Sequence, residues 1–367
     1  MEIKREHFVS NKQFLESARN LDIQPIEGFY ELIDNSFDAD AMNIKIHMEK
    51  KENGNLRFFI IDDGRGIPSG FTDKKGNWRQ GIPYVLAYGG RIAHPGRKNL
   101  QIGKYGVGLS QTASCLSSRT EVYTKTSIDD EWRFGYYDFS ELEVSDDLEL
   151  EKETSKHPPW IDLPNTGAII VLDNVDKARR KSRPIYIVKE LEDSLGRIYR
   201  KFLGDGRRIT ISYKNNGKID ERVVKISDPL HQNPQSIEVQ TFGISSDYGT
   251  VKIKFDENNS IGYIPSFRTG NPAEINIRLV RLEMENIRRS LGMPLSGAIP
   301  TSGRGKNPLT KWGINTEGQG FSIIRNGREI RSSETLGLFT RVNTLNYFRG
   351  EVDFDPELDD LFRIQTN

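Results

Sequence analysis

The segment Glu31-Leu32-Ile33-Asp34-Asn35-Ser36-Phe37-Asp38, with Asp62-Asp63-Gly64-Arg65-Gly66 further on, constrains this chain more than any other feature. Glu31 and Asn35 lie four residues apart, so on a helix they share one face. That face offers a carboxylate and an amide carbonyl at adjacent heights. One can orient a water and the other can hold a magnesium ion, which is what hydrolysis of a nucleoside triphosphate needs. The second segment follows the apolar run Phe58-Phe59-Ile60-Ile61 and puts an acid, Asp62, at the inner end of a strand on a glycine-rich turn. A carboxylate there needs a donor, and an adenine amino group would serve. Bland readings stand beside these: an exposed polar helix face for Glu31 and Asn35, and a turn aspartate capping its own loop for Asp62.

A third glycine segment, Gly103-Lys104-Tyr105-Gly106-Val107-Gly108, opens a helix. It is not a Walker A loop, because Lys98 stands where the first glycine belongs and no Ser or Thr follows Lys104. It is not a dinucleotide fingerprint either, since Gln111 occupies the third glycine position. What remains is a turn whose free N–H groups can hold phosphate oxygens, or one that only caps its helix.

With 367 residues the chain is long enough for two cores, and its 35% hydrophobic and 28% charged residues are those of a globular protein. It has no bilayer-length apolar run and no apolar core behind Met1, so a cytoplasmic protein without membrane contact is expected. Cys115 stands alone, which excludes an internal disulfide, and the five His form no metal cluster. Lys plus Arg equals Asp plus Glu at 52 each, so overall charge gives nucleic-acid binding no support and leaves a local patch open.

Periodicity predicts helices over 11–20 and 25–40, strands over 43–49 and 56–61, and an irregular lid over 68–103. A helix over 103–116 and strands over 119–126, 132–139 and 167–174 follow, with a surface excursion at 141–164. A helix over 184–203 links to a second half with strands over 207–213, 251–255, 275–281 and 321–325, a helix near 283–291, and a long loop at 292–320. Asn326-Gly327 marks a hairpin turn. Arg325 and Arg328 beside it are surface charges or line a domain interface.

In this order and spacing the motifs resemble those of the GHKL ATPase superfamily, which includes gyrase B proteins, MutL, heat-shock chaperones, MORC proteins and histidine kinases. Residues 31–39 match its first motif, 61–68 its second and 103–110 its third. The resemblance implies an α+β protein: a Bergerat-type ATPase domain over 1–180, with a mixed sheet covered on one face by helices, and a lid over 68–103. A linking helix over 181–206 and a smaller α/β transducer-like domain over 207–367 would follow. It implies Glu31 as the general base, Asn35 as the magnesium ligand, and Asp62 as the partner of the adenine amino group. Gly64, Gly66 and Ile67 would line the base pocket, with Asp34 and Asp38 in support. Gly103, Lys104, Tyr105, Gly106, Val107, Gly108 and Leu109 would close over the phosphates.

One family feature departs from the pattern. The late strand normally carries Gly-Thr, whose hydroxyl lies near the adenine, but here Ala168 follows Gly167. Thr166, or a water, would have to fill that role. A transducer lysine that reaches the terminal phosphate would be expected just after Asn367, so the chain reads as an N-terminal fragment with impaired turnover. MORC-like and related bacterial members, some tied to DNA handling or defence, resemble it best. The resemblance implies an ATP-operated clamp: a nucleotide-dependent homodimer using ATP and Mg2+, acting on DNA or a partner protein. Phe8, Val9, Phe14 and Leu15 would exchange between protomers or form a local strap. The rival is a nucleotide-gated binding module, or chaperone-like ATPase, without useful turnover.

Overall fold

The computed structural model describes residues 25–72, 76–86, 102, 108–138, 141, 154–175, 184–215, 218–255, 273–296, 308–359 and 362. The expected helix over 11–20, most of the lid, Gly103–Val107, part of the loop over 292–320 and the last residues lie outside them. Among the described residues no helix is long and apolar enough to cross a membrane. The fold is α+β, with two compact units.

The first unit begins with helix α1 (Pro25–Asp38), entered at a proline in the tolerated first position. Its Phe29, Leu32, Ile33 and Phe37 recur at helical spacing and are all buried. Burial of each is worth about 1.5–3 kcal/mol. Strands β1 (Asn43–Lys50) and β2 (Leu56–Asp62) form an antiparallel hairpin that sets Ile44 opposite Asp62. Within the segment expected to be an irregular lid, a small hairpin, β3 (Gly70–Thr72) and β4 (Trp78–Gln80), leads into α2 (Gly81–Leu86). Phe71 meets Tyr84 edge-on at 4.9 Å, and Ile82 is wholly buried. These elements are too short to show periodicity, which is why the sequence reads as irregular there.

Helix α3 (Gly108–Leu116), β5 (Arg119–Lys125), β6 (Arg133–Asp138), β7 (Thr154–Ser155) and β8 (Gly167–Val175) follow. Six of these strands assemble in one sheet in the order β1-β2-β8-β5-β6-β7. Helix α1 packs on α3, and Phe29 meets Phe58 of β2 at 4.8 Å on the helix-covered face. The other face is covered too. Phe59, Ile61, Tyr123, Phe134, Ile169 and Val171 form a core closed by Trp132, Trp160 and Leu163. The segment expected to be a surface excursion therefore supplies Trp160, whose ring lies 4.7 Å from His47 and 5.4 Å from Phe59.

Helix α4 (Pro184–Ile198) and α5 (Arg200–Gly204) replace the single helix expected over 184–203. Next come β9 (Arg208–Asn215) and β10 (Lys218–Val223). The boundary expected at 207 differs from the structure here. β9 pairs in parallel with β1, and Arg207–Val224 belongs to the first unit. Alternating Ile209, Ile211 and Tyr213 announce a strand, but nothing local says which sheet it joins.

The second unit, Asp193–Gly206 and Lys225–Asn367 in the main, holds α6 (Ile237–Phe242), β11 (Ser246–Phe255), β12 (Ala273–Arg281) and α7 (Met284–Ser290). Then come β13 (Gly320–Arg325), β14 (Arg328–Glu334) and β15 (Phe348–Phe354), in a sheet ordered β11-β12-β15-β13-β14. Asn326 and Gly327 both take positive φ (49° and 79°), as a two-residue hairpin turn requires. Arg325 is no surface charge: it is buried and pairs with Asp359 through bonds of 2.6 and 2.7 Å.

A second buried ion cluster centres on Arg200, whose guanidinium donates to Glu329, to Glu351 at 2.8 Å and to the Arg197 carbonyl at 2.9 Å. Burial alone would lower its pKa; Glu329, Glu351 and Asp228 outweigh this and hold it above its ordinary value. Arg200→Ala would take from buried Glu329, Glu351 and Asp228 the cation they share, leaving Arg197 beside Glu329 and Lys201 beside Glu351, at an expected cost of up to about 3–5 kcal/mol. Urea denaturation checks this, and a loss under about 1 kcal/mol would show that the cluster is not needed.

Candidate functional site

Helix α1 carries its first motif on two sides. Glu31, half-buried, and Asn35, exposed, lie on the same stripe as the half-buried Asp38. Asp34 and Ser36 point inward and are buried. Ser36 Oγ donates to Asp62 Oδ2 at 3.0 Å, and this bond joins the first motif to the second.

Asp62, at the end of β2, is 5% exposed. Its Oδ1 accepts from the backbone N–H of Gly64 at 3.0 Å and of Ala168 at 3.2 Å. A carboxylate has about four acceptor positions, so these three donors leave room for one more. Burial pushes the Asp62 pKa up to about 6, against the pull of its three hydrogen bonds; neighbouring Asp63 adds to the rise. Asp63 itself serves the fold, accepting from the backbone of Met42 and Asn43 at 2.8 Å each.

The turn after Asp62 is held from several sides. Arg65 grips the carboxyl end of α1: its Nη2 donates to the Asp38 carbonyl at 2.7 Å and its Nη1 lies 2.9 Å from Asp40. A cation at a helix C-terminus suits the dipole there. Gly66 takes φ +69°, and a Cβ on it would lie 2.4 Å from the Lys125 carbonyl oxygen. Gly167, at φ +131°, lies so close that a Cβ would fall 1.9 Å from the Asp62 carbonyl oxygen. Ile67 donates its N–H to Thr124 Oγ1 at 2.8 Å, and its carbonyl accepts from Arg133.

The third motif is reached from one side. Ile102, immediately before Gly103, donates its N–H to Asp38 Oδ1 at 2.7 Å. Gly103, Lys104, Tyr105, Gly106 and Val107 lie outside the described residues. Gly108 opens α3, and Leu109 is half-buried on it. The first motif, the second and the residue that precedes the third are thus tied to one another by hydrogen bonds among Ser36, Asp38, Asp62, Arg65 and Ile102.

The strand register adds a row. Asp62 pairs with Ala168, and Ala168 pairs with Thr124, so a carboxylate, a methyl and a hydroxyl stand side by side across β2, β8 and β5. The hydroxyl expected from Thr166 differs in place: Thr166 precedes β8, half-buried, and the row's hydroxyl belongs to Thr124. Sequence reasoning did not pick out Ser36, Thr124, Arg65 or Arg133. Arg65 lies inside a motif and Ser36 adjoins Asn35, but Thr124 carries no local signal.

Residues 25–162 match the family described as histidine kinase-, DNA gyrase B-, and HSP90-like ATPases. Over these residues the chain is similar to proteins of the GHKL superfamily. Relatives of this chain include the ATPase morc-1 of Caenorhabditis elegans, 29% identical over 123 residues, 33% of this chain. The DNA gyrase B protein of Enterococcus faecalis is 31% identical over 199 residues, 53% of this chain. Its counterpart in Streptococcus pneumoniae is 28% identical over 128 residues, 35% of this chain. The chain spans 13%, 27% and 19% of those three proteins' own lengths. The family match ends at residue 162, so the second unit lies beyond it.

Proposed function

We propose that this GHKL chain binds ATP with magnesium, hydrolyses it slowly, and uses the nucleotide to close a lid and pair two protomers. The observation that carries the reading is the Asp62 carboxylate, buried at a strand end, with three donors supplied by the protein and an acceptor position to spare. A 6-amino purine supplies the missing N–H, whereas a 6-oxo purine sets an oxygen against it. The Gly64–Ile67 turn would line the base. The helix start at Gly108, with Gly103–Val107 and Leu109, would enclose the phosphates through backbone N–H groups.

Glu31 would act as general base, accepting the proton of the attacking water. Asn35, one turn further along α1, offers an amide oxygen of the hard kind magnesium prefers. Magnesium, when bound there with the phosphates, supplies positive charge against the charge that develops on them. Residues 225–367 would act as the transducer-like part. Gyrase B and MORC resemblance at these identities supports a role in DNA handling or defence, through a homodimer, with DNA or a partner protein as the object of the clamp. The cytoplasm is the compartment this reading expects.

Light scattering with magnesium and a non-hydrolysable ATP analogue tests the clamp. The solution mass is expected to double on nucleotide binding. A chain that binds the analogue and stays monomeric would leave a nucleotide-gated module as the better reading.

A further inference from the structure

The base end of the site has a second fixed point. Thr124 is fully buried on β5, and its hydroxyl faces two backbone groups from different segments. Its Oγ1 donates to the Gly167 carbonyl at 2.9 Å, and the same oxygen accepts from the Ile67 N–H. The proton is committed to β8 and a lone pair to the turn, so both segments are tied through one atom. Gly66 lies directly over it, since a Cβ there would be 2.9 Å from Thr124 Oγ1. Ala168, between Thr124 and Asp62 in the row, carries only a methyl, so its side chain can bond to neither, and its link to Asp62 is its backbone N–H.

We propose that Thr124 is the positioning residue of the base end: its hydroxyl sets the Gly64–Ile67 turn against β8 and so holds the purine edge in line with Asp62. The proposal rests on the reading of this pocket as an adenine nucleotide site. Thr124 touches backbone and not the base, so its effect reaches the ligand through the turn. A hydroxyl one strand over from Ala168 thereby supplies order that no side chain on β8 provides.

The test is nucleotide titration of the whole chain with ATP and with inosine triphosphate, whose base has an oxygen in place of the amino group. Thr124→Val keeps the shape and removes both bonds. Each bond contributes of order a factor of ten at most, so ATP should bind roughly 10–30-fold more weakly. The preference for ATP over inosine triphosphate should shrink with it. Thr124→Ser should keep both affinity and preference within about threefold. That contrast separates positioning from bulk packing, because serine loses the methyl and valine loses the hydroxyl. Should the valine variant fail to fold, Thr124→Cys, close in size and a poor hydrogen-bonding group, carries the same comparison.

An unchanged preference in folded Thr124→Val or Thr124→Cys would overturn the proposal. So would a loss on Thr166→Val that Thr124→Val does not show, which would return the role to the residue before β8. A wild-type chain that binds neither triphosphate would sink the adenine reading itself, an outcome distinct from failure of Thr124.

Discussion

Replacing Glu31 with alanine is expected to lower ATP turnover by roughly 10²–10⁴-fold while leaving ATP affinity within about threefold. Glu31 lies on the α1 stripe it shares with Asn35 and Asp38, away from the buried Leu32 and Ile33 that hold the helix to the sheet. Alanine is the best helix former, so the substitution should not loosen α1. On the proposed function, what is lost is the carboxylate that takes a proton from water. Steady-state phosphate release and equilibrium titration, run on the same preparation, separate the two quantities. Equal losses in turnover and binding would make Glu31 a ligand-binding group instead of a base. A wild-type chain that binds ATP and shows no turnover would favour the gated module.

The second large effect concerns Asp62 and acidity. Its folded pKa of about 6 lies above the ordinary value of 3.8, first because burial penalises the charge. The folded chain therefore keeps a proton between about pH 4 and 6 that an unfolded chain has given up. Stability falls as pH rises through that window, by an amount on the order of 3 kcal/mol. Adenine binding works the other way. An amino N–H needs the carboxylate form, so ATP affinity should fall about tenfold for each pH unit below 6. The nucleotide's own phosphates also titrate, and the Asp62→Asn variant subtracts them.

In that variant the side-chain oxygen can accept from Gly64 and Ala168, and the new NH2 can donate to Ser36, whose hydroxyl is free to rotate. The same NH2 would oppose an adenine amino group and suit a 6-oxo base. We expect ATP to bind about 10–100-fold more weakly to Asp62→Asn, with inosine triphosphate gaining relative to it and the acid-side slope gone. Calorimetric titrations between pH 5 and 8 measure all three. Parallel pH profiles for the two proteins would show that Asp62 does not meet the base.

How much of this could be read from the chain depends on how local each signal is. Leu32, Ile33 and Phe37 on one face of α1, and Ile44, Ile46 and Met48 on alternate positions of β1, announce their elements with nearest-neighbour patterns. Glu31, Asn35 and Asp62 were legible because their motifs are contiguous. Ser36 was not, since a serine on a helix can as well bond its own backbone, and the Leu32 carbonyl oxygen stands 3.1 Å from Ser36 Oγ as an alternative acceptor to Asp62. Thr124 was invisible for a different reason. Its importance comes from a strand register that brings it beside Ala168, 44 positions away in sequence. The placement of β9 failed to show itself in the same way, and β15 was missed because Gly350 interrupts its alternation.

The pairing of β9 with β1 has a consequence for where the first unit ends. Strand β1 reaches its neighbour only after the chain has passed through α4 and α5, so a piece cut near residue 180 would carry a naked inner strand. Its backbone N–H and C=O groups would be open to any other extended chain. On a ribosome the same gap exists for as long as Arg208–Asn215 is still being made. The smallest autonomous form of the first unit thus runs to about Val223, where β10 closes the sheet's edge.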